Sequence, residues 1–192
     1  SVVSEIGKRL SFGRVSVFVS FIIAAFMIQL FFIIYKTYLL FIKNNSKINS
    51  ENDCLEADKL LSELIEYESD FDDVINGKCK VEDFHKEVLD KSNVFAYYVK
   101  DEDIAVGYIF AYLKTPYNDV IKTNIVMLES LYIREEYRKK GIGRTLIIML
   151  EKWAKETLKN YAIEIVCLNN NKEALKFYER LGYSEVKTIL RK

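Results

Sequence analysis

The chain has 192 residues, half of them hydrophobic, with 28 basic and 28 acidic side chains. That length allows one globular domain with a real core and some surplus, and the zero net charge argues against the basic excess of a large nucleic-acid footprint, so no nucleic acid is expected as a partner. The three cysteines, Cys54, Cys79 and Cys167, form no C-x-x-C pair, and His85 is the single histidine; neither a disulfide framework, a metal cluster nor a Ser-His-Asp triad follows.

The surplus lies at the front. Val15 to Ile34 carries no charge, and Ser16, Ser20 and Gln29 are its only polar members; it is as long as a helix crossing a bilayer core of roughly 30 Å. A membrane-spanning helix over 15–34 is the direct reading, within a leader of residues 1–37 that precedes a domain at 38–192. Lys8, Arg9 and Arg14 on one side balance Lys36, Lys43 and Lys47 on the other, so charge sets no orientation. A signal peptide fits less well, because the apolar core is too long and no small-residue cleavage site closes it. Two other readings stay open: a leader that is not native, since the chain begins at Ser1 and Phe31 to Asn49 has the composition of AT-rich coding DNA, and a buried core or partner helix.

Asn44 to Asn52 is polar and reads as a linker or loop. Leu55, Leu60, Leu61, Leu64 and Ile65 then mark an amphipathic helix, and Val81, Phe84, Val88 and Leu89 a second one. His85 falls in the polar part of that second segment, where a solvated surface position is expected. Asn93 to Val99 and Ile104 to Leu113 read as an antiparallel pair around the acidic turn Lys100 to Asp103, and Thr115 to Asp119 is a further turn with the only proline. There follow a strand from Ile125 to Ile133, a helix from about Gly143 to Lys159, a strand from Tyr161 to Leu168, a helix from Lys172 to Leu181 and a last strand from Tyr183 to Leu190. No internal repeat is present. Helices between strands, with a hairpin in the middle, give an α/β (α+β) class: a mixed sheet covered by helices.

The strand-to-helix turn Arg138-Lys139-Lys140-Gly141-Ile142-Gly143-Arg144 is a candidate phosphate cradle. Glycine accepts positive φ and lets a ligand approach with no Cβ in the way, and the N–H groups of the first helical turn point at any anion that docks. Lys139, Lys140 and Arg144 add positive charge. It is no Walker loop, and Leu146 does not supply the third glycine of a dinucleotide fingerprint. A basic glycine turn without a ligand is the alternative.

A second stretch, Asn171 to Tyr183, reads N-K-E-A-L-K-F-Y-E-R-L-G-Y. In this order and separation the two motifs resemble the GNAT family of N-acetyltransferases, closely over Met127 to Tyr183 and loosely from about Asp53. The resemblance implies a mixed, mostly antiparallel central sheet flanked by helices, acetyl-CoA as cosubstrate, no metal, and direct acetyl transfer to a primary amine of a small molecule or peptide; it leaves a homodimer open. The family usually opens with a strand before its first helix, and here Tyr38 to Lys43 is the candidate, lost or displaced if the membrane helix runs on.

The resemblance also assigns roles. Backbone N–H groups on Leu131, Tyr132 and Ile133 would bind the pantetheine arm and the carbonyl oxygen. The N–H groups from Lys139 to Arg144 would seat the pyrophosphate, and Asn171 would touch the pantetheine. Tyr178 would give the thiolate its proton, although Ala174, Phe177, Tyr178 and Leu181 share a helical face and Tyr178 also fits as a core tyrosine with a satisfied hydroxyl. Glu129 would be the base: it alternates with Leu131 and Ile133 inside an apolar strand, where burial would make a carboxylate a stronger base. An exposed glutamate with water as base is the other reading. The acceptor is expected between the loops Phe71 to Lys80 and Leu113 to Lys122, with Asp70, Asp72, Asp73 and Asp119 suited to a cationic amine or simply solvated. A membrane-tethered acyl-CoA sensor or docking module without turnover is the rival function. An acetyl-CoA-dependent domain faces the cytosol, anchored or not, and three unpaired cysteines agree with a reducing compartment.

Overall fold

The computed structural model describes residues 22–29, 45–89, 93–114 and 123–192. The chain divides into two units, Ser1–Lys43 and Asn44–Lys192. In the first, residues 22–29 are helical, and Ile22, Ile23, Phe26, Met27 and Ile28 are exposed. Among the described residues no helix is long and apolar enough to cross a membrane. The rest of the expected span over 15–34, the candidate strand Tyr38 to Lys43 and the turn Thr115 to Asp119 lie outside the described residues.

The second unit runs β1 (Asn45–Lys47), α1 (Glu51–Glu68), α2 (Phe84–Val88), β2 (Val94–Asp101), β3 (Ile104–Lys114), β4 (Asn124–Ile133), a single 3-10 turn (Glu135–Tyr137), α3 (Ile142–Thr157), β5 (Tyr161–Ile165) and α4 (Lys172–Arg180). The five strands form one sheet in sequence order. All neighbours are antiparallel except β4 and β5, which are parallel and need the α3 crossover between them.

An opening strand is therefore present, in the segment read as a linker. Asn45, Ser46 and Lys47 carry no apolar alternation that would announce it. Pairing with Tyr97–Val99 holds β1 in place, and the Ile48 that follows is 1 % exposed, with its N–H on the Ala96 carbonyl at 3.1 Å. α1 begins at a reciprocal cap, in which Ser50 Oγ accepts from the Asp53 N–H at 3.2 Å and the Asp53 carboxylate accepts from the Ser50 N–H at 3.1 Å. Cys54, Ala57, Leu60 and Leu64 face the sheet, and Leu55, expected on that face, is exposed.

His85 is buried, contrary to its expected surface position. A five-residue helix is too short for its residue pattern to define an inward face. The rings of Phe84, Tyr108 and Phe110 stand edge-on to the imidazole, and Asp58 of α1 supplies the polar partner that burial requires. The opposite face of the sheet is covered by α3, whose Ile142, Leu146, Ile147, Leu150 and Ala154 are buried and whose Trp153 packs on Phe95. Each such large aliphatic contributes roughly 1.5–3 kcal/mol of burial.

Two expected strands are shorter or missing for one reason: a strand needs a partner for its backbone. The β4–β5 pairing ends at Leu128↔Ile165, so Val166 to Leu168 do not continue β5. Tyr183 to Leu190 pairs with no strand among the described residues. Side-chain bonds hold that segment instead, Lys187 to Glu164 at 2.9 Å and Arg191 to Asp72 at 2.7 Å, and Val186, Ile189 and Leu190 are exposed.

Candidate active site

Beyond Leu128 the strand β4 runs on to Ile133, paired with β3 on one edge and, among the described residues, with no strand on the edge that β5 has left. The divergence opens a cleft of about 380 Å³. Glu129, Leu131, Tyr132, Ile133, Arg138, Lys139, Gly141, Ile142, Gly143, Arg144, Asn171 and Tyr178 all line it. Of the residues put forward from the motifs, Lys140 alone does not; its ammonium rests 4.8 Å above the Tyr137 ring.

The glycine turn has the backbone of an anion seat. Lys139 (φ 59°) and Gly141 (φ 84°) are both left-handed, a conformation that Gly141 adopts freely and Lys139 does not. Among the three long helices, α1 is capped by Ser50 and α4 by Asn171 Oδ1, which accepts from the Ala174 N–H at 3.1 Å. α3 has Gly141 as its cap, with no side-chain acceptor and no acidic residue in its first turn. Its first N–H groups are thus left for a ligand, at the positive end of the helix dipole. At Gly143 the reason for glycine is different: a Cβ there would lie 3.3 Å from Phe177 Cζ, so the missing side chain lets α4 come close.

The cations near the turn differ in their availability. Arg138 donates from Nε to the Ile133 carbonyl at 2.9 Å and lies 4.4 Å above the Tyr67 ring, which ties the turn to β4 and α1. Lys139 pairs with Glu173 at 3.4 Å with both side chains largely exposed, a contact worth little. Arg144 is exposed. Asn171 is buried with its carboxamide oxygen engaged in capping.

Tyr178 projects from α4 into the cleft. Its ring meets Phe177 and Tyr183 edge-on, and burial, with smaller contributions from Cys167, Tyr183 and Glu68, pushes its phenol well above the usual range. It is protonated at neutral pH, as a proton donor must be. The core reading needed a satisfied hydroxyl; among the described residues the Tyr178 hydroxyl has no hydrogen-bond partner.

Glu129 departs from expectation. It is exposed, and it is the extra residue of a β-bulge: Ser130 pairs with Phe110 and Leu128 with Ala111, leaving Glu129 opposite nothing. The alternation that put it on the face of Leu131 and Ile133 is broken there. A carboxylate that the motifs did not reveal stands in the same cleft. Glu68, the last residue of α1, is half-buried, and burial followed by the charge of Glu129 raises its carboxyl above the ordinary value. No spacing rule points to Glu68, because only the fold brings the end of α1 to the middle of β4.

A second, more open cleft shares Tyr67 and Tyr132 with the first and is lined by Glu63, Glu66, Asp70 and Asp73. Asp70 and Asp73, put forward for the acceptor, thus line this second cleft. Asp72 is held by Arg191 at 2.7 Å, and Asp119 lies outside the described residues.

The chain and its fold are similar to known proteins. The family model for the Acetyltransferase (GNAT) family matches residues 61–183, and the chain belongs to that family. A spermine/spermidine N(1)-acetyltransferase of Bacillus subtilis (strain 168) is 30% identical over 78 residues, which is 41% of this chain and 51% of the relative; the chain thus spans about half the length of the curated relative it matches. Among solved structures, a tetramutant of the BH1408 protein from Bacillus halodurans superposes with a TM-score of 0.67 at 20% identity, over 77% of this chain and 97% of that one. An apo aminoglycoside 6'-N-acetyltransferase, AAC(6')-IG from Acinetobacter haemolyticus, gives 0.55 at 18%, over 77% and 95%. At these identities the structures share the fold.

Proposed function

We propose that the chain is an acetyl-CoA-dependent N-acetyltransferase that passes an acetyl group directly to a primary amine. One observation carries this reading: the uncapped N-terminus of α3, the unpaired edge of β4 and the Tyr178 hydroxyl open onto a single cleft. In this reading the α3 amides and the left-handed turn hold the pyrophosphate, the free edge of Leu131 to Ile133 pairs with the pantetheine arm, and Asn171 closes the far side. Acetyl-CoA supplies an activated thioester. Backbone N–H groups of β4 take up the negative charge that develops on its carbonyl oxygen, and Tyr178 gives its proton to the departing sulfur.

The acceptor reading follows the acidic lining of the second cleft, the pair Glu68 and Glu129 in the first, and the name of the Bacillus subtilis relative, a spermine/spermidine acetyltransferase. Amines carrying more than one positive charge fit best. The apolar helical stretch within 15–34 is read as an anchor that leaves the domain in the cytosol, where acetyl-CoA is found; carbonate extraction that releases the protein would remove the anchor from this reading.

The test is incubation of the full chain with acetyl-CoA and a panel of diamines, monoamines and peptide N-termini, following release of free CoA thiol. Acetylated amine with matching thiol release is expected. Tight acetyl-CoA binding with no turnover on any amine would favour the sensor instead.

A further inference from the structure

We propose that Glu68, at the end of α1, is the residue that takes the proton of the acceptor ammonium, with Glu129 as the second carboxylate that holds the cation beside it. The proposal rests on the acetyl-transfer reading and names a base that the family motifs do not contain.

Three separate penalties fall on this carboxylate. Glu68 closes a helix whose last turn has no basic residue, so the negative end of the helix dipole opposes its charge. It is half-buried, and Glu129 of β4 stands near enough to oppose it further. Among the described residues neither glutamate has a cationic partner, and only Glu129 has a hydroxyl near it, that of Tyr112, whereas Glu63 and Glu66 on the same helix are paired with Arg134 and Lys80. A helix that pairs Glu63 and Glu66 but leaves the disfavoured Glu68 open to a cavity is arranged for a charge that arrives with a ligand.

Position gives that charge a use. The groups facing Glu68 are Glu129 of β4, Tyr108 of β3, Cys167 after β5 and Tyr178 of α4; its field lifts the last three. Glu68 lines the same cleft as Tyr178, whose hydroxyl is assigned to the leaving thiolate. A carboxyl held above its ordinary value is a better base near neutrality.

In the step, Glu68 accepts one proton from R–NH₃⁺, and the freed lone pair forms the C–N bond to the thioester carbon. As the adduct collapses the C–S bond breaks and Tyr178 protonates the sulfur. The second proton lost from nitrogen restores Tyr178, and Glu68 later returns its proton to water. The sum is R–NH₃⁺ plus thioester giving amide, thiol and one H⁺.

The experiment compares the full chain with its Glu68→Gln and Glu129→Gln variants, using benzylamine and 1,4-diaminobutane as acceptors. For Glu68→Gln we expect kcat/KM to fall roughly a hundredfold at pH 7, loss of the acid limb of the pH–rate profile, an unchanged calorimetric Kd for acetyl-CoA, and a raised Tm, because a disfavoured charge has gone. Glu129→Gln should keep the limb, move it to lower pH and raise KM more for the diamine. Wild-type kcat/KM and acid limb in Glu68→Gln would overturn the proposal, as would loss of both in Glu129→Gln alone, or a fall in Tm alongside activity, which marks a structural residue. A wild-type chain that binds no acetyl-CoA overturns the acetyl-transfer reading itself, before any substitution is made. One that binds it yet acetylates neither amine, while transferring to an uncharged aryl amine, overturns only the role of Glu68.

Discussion

Asp58 Oδ1 sits 2.6 Å from His85 Nδ1 and also accepts from the His85 backbone N–H at 3.2 Å, with both side chains buried between α1, α2 and the sheet. A single carboxylate thus fastens the short helix α2 to α1. Among the described residues Asp58 Oδ2, His85 Nε2 and the Tyr108 hydroxyl have no hydrogen-bond partner, so the cluster has little tolerance for further loss. Asp58→Ala strands two buried donors and should cost about 2–3 kcal/mol, measured by denaturant unfolding.

The same pair sets a pH dependence. Burial lowers the His85 pKa, and the Asp58 contact opposes this only in part. The unfolded chain therefore binds a proton more readily than the folded one. The contribution is fully present above the unfolded value of about 6.5 and is lost as pH falls from there toward the folded value. Tm should decline on acidification through that window, and His85→Phe should flatten the decline. An unaltered slope in a folded His85→Phe variant would assign it to other groups.

Gly143→Glu should weaken acetyl-CoA binding by ~2–3 kcal/mol, because it crowds Phe177 and reverses the field at the α3 N-terminus. Lys139→Ala, which removes an exposed side chain already near Glu173, should change affinity by less than about 0.5 kcal/mol. Calorimetry on both variants separates backbone from side-chain recognition. Equal losses would show that charge, and not the amide seat, does the binding.

Tyr178→Phe should lower kcat by roughly a hundredfold while leaving acetyl-CoA affinity near normal. Stability should hardly move, since the hydroxyl removed makes no hydrogen bond among the described residues. A large drop in Tm with intact turnover would return Tyr178 to the core.

Much of the fold was legible because its signals are local. Apolar runs mark β2, β3 and β4, helical spacing marks α3, and the glycine turn with the Asn171 to Tyr183 stretch marks the cleft they jointly line. What stayed hidden depends on partners distant in sequence. Asn45–Lys47 is a strand only because Tyr97–Val99 is there to pair with it. Tyr183 to Leu190 has strand-like residues and no partner. His85 goes inside because Asp58 waits 27 residues upstream, and Glu68 reaches the site because α1 ends over the cleft.

The two halves of β4 are out of phase. Val126 and Leu128 lie opposite Leu113 and Ala111, while Leu131 and Ile133 lie opposite Ile109 and Gly107; these four β3 residues share one face, so even-numbered and odd-numbered β4 residues point the same way. Only the supernumerary residue permits this. Glu129→Ala should remove a carboxylate and leave the fold intact, and deletion of Glu129 should also keep every β3–β4 pair, since Leu128 and Ser130 already face Ala111 and Phe110. What the deletion should remove is the bend of the bulge, so the deletion variant is expected to fold in a thermal melt and to lose acetyl-CoA affinity by calorimetry. The site therefore depends on a residue count that the fold does not need: β4 can drift in side-chain identity at this exposed position, but a strand one residue shorter would lose the bend beside the point where β5 parts from it.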